Sequence, residues 1–139
     1  MKKMLIVVFL AILFGGVCSF MIFRTLVKAD NAYEEFVAFQ IGVYTDYDNA
    51  VKVADRNNGI VVEDGYFRVY VTFLRNEESI LKMEKYFSEI GLNYYKKEIL
   101  IDKKFGDDIY TYEDMILKSS SDTFNTINKE ILKVFEDYN

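Results

Sequence analysis

The chain has 139 residues, room for one small domain and an anchor, and it carries a net charge of −5 with no histidine and one cysteine. The negative charge argues against a nucleic-acid partner, because neutralising phosphates requires a basic face. The absence of histidine excludes Ser-His-Asp and Cys-His catalysis and the common zinc sites. The scattered glycines form no phosphate-cradling motif, and no cofactor is expected.

The first predicted element is a membrane-spanning helix over residues 4–23, a run of twenty residues without a charge. At about 1.5 Å per residue, such a helix spans roughly 30 Å, the thickness of a hydrocarbon core. Residues 1–3 form a cytoplasmic tip, because Lys2 and Lys3 precede the run while acids dilute the positive charge after it. This favours a single-pass protein of the cell membrane with an extracytoplasmic C-terminal domain. The only cysteine lies inside the run, so the exported part forms no internal disulfide.

A cleaved signal peptide is the main alternative for this segment. Its apolar region would be about 7–15 residues long, with small residues at the cut. The tripeptide Val17-Cys18-Ser19 offers only a poor cut site, and the apolar run continues to Phe23. Lipidation at Cys18 is disfavoured because a bulky valine precedes it. The retained anchor is preferred, and residues 24–35 form a connector of about 12 residues that reaches at most about 40 Å.

Residues 36–102 contain two strand–helix–strand units that resemble each other at an offset of 30 residues. Each unit has a strand with alternating apolar residues, followed by a capped amphipathic helix. Asp64-Gly65 predicts a hairpin turn between the units. Together they predict an α+β domain of β-α-β-β-α-β type (ferredoxin/RNP-like), with a four-stranded antiparallel sheet and the helices on one face. The predicted elements are a strand over 36–44, a helix from an N-cap at Thr45 to a stop at 57–59, strands over 60–62 and 66–74, a helix from an N-cap at Asn76 to residue 90, and a strand over 92–101.

The other face of this sheet is expected to stay open. We expect it to carry the five candidate site residues, Thr72 and part of the stretch 94–98. Their amide, guanidinium and polar-tipped rings suit a sugar chain, which presents hydroxyl groups at its edge and C–H groups on its faces. The alternative is an ordinary solvated face, and the residues alone leave both interpretations open. The candidate residues are Gln40, Gly42, Tyr44, Arg68 and Tyr70.

Residues 103–139 predict a helical C-terminal extension. Thr111 and Asp114 form a capping-box signature, and residues 119–122 break the chain. An apolar stripe follows, and it needs a partner surface because a lone amphipathic helix is marginal. Packing back on the domain is preferred over an external partner. The stripe consists of Phe124, Ile127, Ile131, Leu132, Phe135 and Tyr138.

The densest group of carboxylates is Asp107, Asp108, Glu113 and Asp114. Paired carboxylates can cleave a glycosidic bond, but one of them must be buried to raise its pKa. Adjacent exposed acids near a helix start are more often partners of the helix dipole. The sequence therefore favours a binding module over an enzyme, with a cell-wall hydrolase as a minor alternative.

Two segments resemble the SPOR (sporulation-related repeat) domain family. Residues 39–44 read FQIGVY and are followed by Asn49-Ala50, which is similar to the opening signature of the family. Residues 66–71 read YFRVYV and are similar to its Tyr-Arg-Val strand. The resemblance spans roughly residues 36–101.

The resemblance implies a non-catalytic domain that binds peptidoglycan, preferentially denuded glycan strands, in membrane-anchored division or sporulation proteins. It also implies that Gln40 contacts glycan and that Arg68 and Tyr70 lie on the ligand face. The chain departs from the family at Thr72 and Phe73, where a glycine and often a proline stand, and in lacking a long linker. The alternative function is an adaptor whose C-terminal helices contact a division or sporulation protein.

Overall fold

A computed structural model describes residues 32–138. Within them the chain is α+β and has one four-stranded antiparallel sheet with helices packed against it. The elements in chain order are β1 (Tyr33–Tyr44), α1 (Tyr47–Asn57), β2 (Ile60–Glu63), β3 (Phe67–Leu74), α2 (Glu77–Glu89), β4 (Tyr95–Asp102), α3 (Lys103–Lys118), a 3-10 turn (Ser121–Thr123) and α4 (Phe124–Glu136).

The sheet has the strand order β2-β3-β1-β4. The predicted cytoplasmic tip (1–3), membrane helix (4–23) and most of the connector (24–31) lie outside the described residues. Among residues 32–138, no helix is both long enough and apolar enough to cross a bilayer.

Polar residues cap the N termini of the two helices of the repeat, and an asparagine ends the first of them. The N-cap of α1 is Asp46, whose carboxylate accepts from the Asn49 amide at 2.9 Å, so the predicted cap at Thr45 is wrong by one residue. The predicted cap at Asn76 is confirmed, because its side chain accepts from two amides in the first turn of α2. Helix α1 ends at Asn58, whose φ of 53° is the left-handed conformation expected at such a stop.

The starts of three elements differ from the predictions by three residues or more. Strand β4 begins at Tyr95 and not at residue 92. Strand β1 begins at Tyr33, inside the predicted connector. Helix α3 begins at Lys103, so Thr111 lies in its middle instead of capping it. The N-cap is Asp102, which accepts from the Lys104 amide at 2.9 Å. Buried apolar residues recur on one face along the whole of α3, and this continuous face explains why the helix does not restart at the second polar signal.

The C-terminal helices complete the main core. Helices α3 and α4 pack against each other, and α4 packs on β3. The rings of Phe73 and Phe135 stack with centroids 4.0 Å apart. The prediction that the stripe packs back on the domain is confirmed, and the C-terminal extension forms one compact unit with the sheet. The buried stripe residues are Phe124, Ile127, Ile131, Leu132 and Phe135.

A smaller cluster lies under α1, where Ala50 and Ala54 pack against Val69 of β3. Since neighbouring residues of a strand point to opposite faces, Val69 marks the α1 side of β3 and Arg68 points to the other side.

The pairing of β1 with β3 is irregular at the centre of the sheet. The register shifts between Phe39 and Gln40 and again between Gln40 and Gly42. As a result, Gln40 lies opposite Tyr70, whereas Gly42 lies opposite Val69. An extra residue in one strand breaks the regular alternation of side chains. The even-numbered residues of β1 therefore do not all share one face.

Candidate functional site

A polar cluster surrounds Arg68. Its Nε donates to both carboxylate oxygens of Asp64 at 2.7 Å, and its Nη1 donates to Oε1 of Gln40 at 3.3 Å. The ammonium nitrogen of Lys97 lies 3.7 Å from Oδ2 of Asp64. Arg68 and Lys97 are positively charged and Asp64 is negatively charged, so the cluster carries a net charge of +1. The structure thus brings Gln40 and Arg68 together and adds Asp64 and Lys97 to them.

The hairpin between β2 and β3 positions this cluster. Gly65 has a φ of 86°, a conformation that glycine adopts without steric cost. The Asp64 amide donates to the Tyr66 carbonyl at 3.0 Å, which closes the turn. The turn places the Asp64 carboxylate next to Arg68, which lies four residues later on β3.

The charges in the cluster stabilise one another. The hydrogen bond from Arg68 holds the pKa of Asp64 below its ordinary value of 3.8, and the positive charge of Lys97 acts in the same direction. The Asp64 carboxylate in turn raises the pKa of Arg68. Asp64 is therefore ionised at neutral pH, and it orients the guanidinium beside Gln40.

Replacing Arg68 with Ala should raise the pKa of Asp64 towards 3.8. Because the folded-state pKa is depressed, the contribution of this contact to stability is present above the unfolded-state pKa and is lost as the pH falls through the folded value. Carboxyl NMR titration of the parent and of Arg68→Ala measures the difference. Lys52→Ala, on an exposed position of α1, is the control and should leave the pKa of Asp64 unchanged. Equal values in all three proteins would mean that the contact does not form in solution.

Gly42 and Tyr44 lie on the side of the sheet that α1 covers. Gly42 lies opposite Val69, and Tyr44 packs against the cluster beneath α1. A Cβ placed on Gly42 would lie 2.5 Å from the ring of Tyr44, so the ring covers this glycine. Residues paired across strands share a face. These two candidate residues therefore do not share a face with Arg68, although Gly42 borders a groove that Gln40 also lines.

Tyr70 lies inside the main core. Its side chain is 4% exposed, and its ring centroid lies 5.2 Å from that of Phe73. Burial raises the pKa of its hydroxyl group. The open face expected from the sequence is thus smaller in the structure. Thr72 is fully buried and Gln40 is only 9% exposed, so the accessible polar groups are mainly those of Arg68, Asp64 and Lys97.

Two shallow grooves adjoin the polar cluster and share Tyr95, which is 66% exposed. Gln40 lines the first groove, of about 320 Å³, and Lys97 lines the second, of about 520 Å³. We call the two grooves together the β1–β4 trough. The trough is lined by Val37, Gln40, Ile41, Gly42, Val43, Asn93, Tyr94, Tyr95, Lys96, Lys97 and Glu98.

The predicted group of carboxylates is divided among separate contacts. Asp108 accepts from the Tyr138 hydroxyl at 2.7 Å and raises the pKa of that tyrosine to about 12. Asp114 pairs with Lys118 at 2.6 Å, and Glu113 is buried and binds backbone amides. Within residues 32–138, no set of three or more His, Cys, Asp or Glu side chains is arranged to hold a metal ion.

Sequence reasoning did not single out Asp64, Lys97 or Tyr95. Asp64 was assigned to the turn alone, although its spacing of four residues from Arg68 was a usable signal. Tyr95 and Lys97 fall in the stretch 94–98 that was expected to contribute, but the pattern could not select them within it.

No protein-family model, curated protein or solved structure matches the chain. Function is therefore inferred from the polar cluster, the β1–β4 trough and the resemblance in two strands.

Proposed function

We propose that the protein is a membrane-anchored, non-catalytic module that binds peptidoglycan glycan strands, preferentially denuded ones, in bacterial cell division or sporulation. The observation that carries the proposal is the contact between Gln40 and Arg68 beside the β1–β4 trough. The same two residues belong to the two segments that resemble SPOR domains.

The donors and acceptors of the cluster suit sugar hydroxyl groups. Arginine has five N–H donors, and the contacts to Asp64 and Gln40 use two of those of Arg68. The amide nitrogen of Gln40 adds two donors. The exposed ring of Tyr95 offers an apolar face to the C–H groups of a pyranose. The amide of Gln40 and the apolar ring of Tyr95 thus line the same groove, and Arg68 contacts Gln40 beside it.

The trough favours modest affinity. Its two grooves, of about 320 and 520 Å³, fall in the range of about 300–1,000 Å³ that is typical of ligand sites. Each net hydrogen bond contributes only about 0.5–1.5 kcal/mol. Because the residues lie on or beside paired strands, binding requires little ordering of the backbone.

The finer fold proposal is a ferredoxin/RNP-like domain with α1 and α2 on one face. The strand order β2-β3-β1-β4 supports it, because two interleaved β-α-β units produce this order. Right-handed crossovers would then place both helices on the same side.

The anchoring proposal places residues 4–23 in the membrane with the N terminus in the cytoplasm. Since β1 begins at Tyr33, the connector shortens to residues 24–32. Nine residues reach at most about 30 Å, so the domain would act on wall close to the bilayer.

Gln40→Ala and Arg68→Ala should each weaken binding to amidase-treated sacculi by about 3- to 10-fold, because each removes hydrogen bonds to the glycan. The full chain in detergent micelles is sedimented with sacculi, and the bound fraction is measured against sacculus concentration. Circular dichroism of each variant checks that the fold persists.

Lys52→Ala is the matched control and should bind like the parent. Untreated sacculi should bind less than amidase-treated ones. Equal sedimentation of the parent, Gln40→Ala and Arg68→Ala would contradict the proposal.

The adaptor function has less support. Its expected surface was the apolar stripe, but Phe124, Ile131 and Phe135 are buried, so an adaptor would need a different surface. The hydrolase function has little support as well. Glu113, Asp114 and Asp108 each contact a different partner, so these acids do not form a pair that could act on one bond.

A further inference from the structure

One positive charge of the polar cluster is not neutralised by a close contact. Both carboxylate oxygens of Asp64 accept from Nε of Arg68 at 2.7 Å. The ammonium nitrogen of Lys97 is 3.7 Å from Oδ2 of Asp64, which is too far for a hydrogen bond. The Lys97 side chain is 35% exposed, so its N–H donors can reach a ligand in the groove that it lines.

The neighbouring lysine is paired instead. The ammonium nitrogen of Lys96 lies 2.6 Å from a carboxylate oxygen of Glu84 on α2. Successive residues of a strand point to opposite faces of the sheet, so Lys96 and Glu98 both point away from the face that carries Lys97. Although both lysines line the same groove, only Lys97 presents its charge beside Arg68.

The exposed ring of Tyr95 lies on the same face of β4 as Lys97. The two residues are two positions apart in the strand, so their Cα atoms are about 7 Å apart. A pyranose that contacts the ring therefore places its substituents within reach of the ammonium group. Because charge complementarity gives a site its specificity, this arrangement favours a sugar that carries an anionic substituent.

Peptidoglycan strands have such a substituent in a masked form. Their N-acetylmuramic acid sugars carry a lactyl ether, and the stem peptide is joined to the carboxyl group of that ether through an amide bond. When an amidase hydrolyses this bond, the lactyl group is left as a free carboxylate. A denuded strand therefore carries negative charges at positions where a substituted strand has neutral amides.

We propose that Lys97, with Arg68 beside it, binds the lactyl carboxylate of a denuded strand while the ring of Tyr95 contacts the sugar. The inference rests on the proposed function, and it names the group by which the trough distinguishes denuded strands from substituted ones. A hydrogen bond from an ammonium group to a carboxylate is about twice as strong as one between neutral groups. With Asp64 ionised, the net charge of +1 on the cluster matches one carboxylate.

The test is sedimentation of the full chain in detergent micelles with two forms of amidase-treated sacculi. In one form the lactyl carboxylates are free, and in the other a carbodiimide and methylamine have converted them to neutral methylamides. Capping should weaken binding of the parent by about 3- to 10-fold, because it removes the charge that Lys97 binds.

Lys97→Gln should bind the free and capped strands equally, at the level of the parent with capped strands. Lys96→Gln is the matched control and should keep the parent's preference, because it removes the same charge from the same groove but its ammonium group is already paired with Glu84. Lys97→Arg retains the charge and should retain most of the preference. Circular dichroism checks that each variant is folded.

An NMR titration with free sugars probes the carboxylate directly. N-acetylmuramic acid differs from N-acetylglucosamine by the lactyl group alone. In the parent it should shift the Nε–H signal of Arg68 more than N-acetylglucosamine does, and Lys97→Gln should abolish this difference.

The inference and the proposed function fail in different ways. Equal sedimentation of the parent with free and capped strands, or equal losses in Lys96→Gln and Lys97→Gln, would overturn the carboxylate contact and leave glycan binding intact. Sedimentation with neither form would refute the binding of glycan strands itself, and the inference with it.

Discussion

Phe135→Asp is expected to unfold the domain, with a loss of more than about 5 kcal/mol of stability. The ring of Phe135 stacks on Phe73 at 4.0 Å and lies 5.8 Å from the ring of Phe105. Truncating a buried phenylalanine costs about 3–5 kcal/mol, and a carboxylate buried in its place adds a desolvation cost. Small domains have a net stability of about 5–15 kcal/mol. The combined cost of the substitution therefore approaches or exceeds the free energy of unfolding of the domain.

The measurement is near-ultraviolet circular dichroism and urea denaturation of the full chain in detergent micelles. Lys129→Asp is the control, because it introduces the same charge on an exposed position of α4. Its effect should stay within about 0.5 kcal/mol, the usual range for surface substitutions. A folded Phe135→Asp that had lost only its cellular localisation would show instead that the stripe serves an external partner.

Periodicity was sufficient to predict the role of this stripe. Phe124, Ile131 and Phe135 recur at helical spacing, and an amphipathic helix of this length requires a surface to cover it. The sequence also placed the Asp64-Gly65 turn and the cap at Asn76, because each depends on the chemistry of one or two local residues. Local signals of this kind do not depend on which strands later pair.

The candidate site was predicted only in part, because pairing between distant strands decides it. The segment FQIGVY alternates regularly, so the sequence assigns Gln40, Gly42 and Tyr44 to one face. The shifts in the β1–β3 register turn Gly42 and Tyr44 towards α1 while Gln40 stays with Arg68.

The position of Tyr70 also depends on pairing between distant strands. It lies three residues before Phe73, and regular alternation would place the two rings on opposite faces. In the structure their centroids are 5.2 Å apart. The irregular pairing and the aromatic core of the C-terminal helices both contribute to this arrangement, and neither can be read from residues 66–74 alone.

Glu113→Ala is expected to cost about 3–5 kcal/mol, the second largest effect. The carboxylate is 3% exposed, and its Oε1 accepts from the amides of Arg75 and Asn76 at 2.6 and 2.7 Å. The Ser79 hydroxyl lies 3.4 Å from the same oxygen. Hydrogen bonds to a charged group contribute about 1.5–3 kcal/mol each, and alanine would leave two backbone donors without this acceptor.

The carboxylate also lies at the N terminus of α2, where the helix dipole favours negative charge. Glu113→Gln retains an acceptor oxygen but loses the charge, so its stability should fall between those of the parent and Glu113→Ala. Urea denaturation gives the three free energies of unfolding, and hydrogen exchange at the amides of Arg75 and Asn76 localises the change.

The matched control is the neighbouring acid in the sequence. Asp114 makes an exposed contact with Lys118, and such surface pairs contribute about 0–1 kcal/mol, so Asp114→Ala should have little effect. Equal losses of stability for Glu113→Ala and Asp114→Ala would show that the contacts of Glu113 do not stabilise the packing of α3 on α2. An unequal result would separate two acids that the sequence presents as one pair, because only Glu113 lies on the face of α3 that packs against α2.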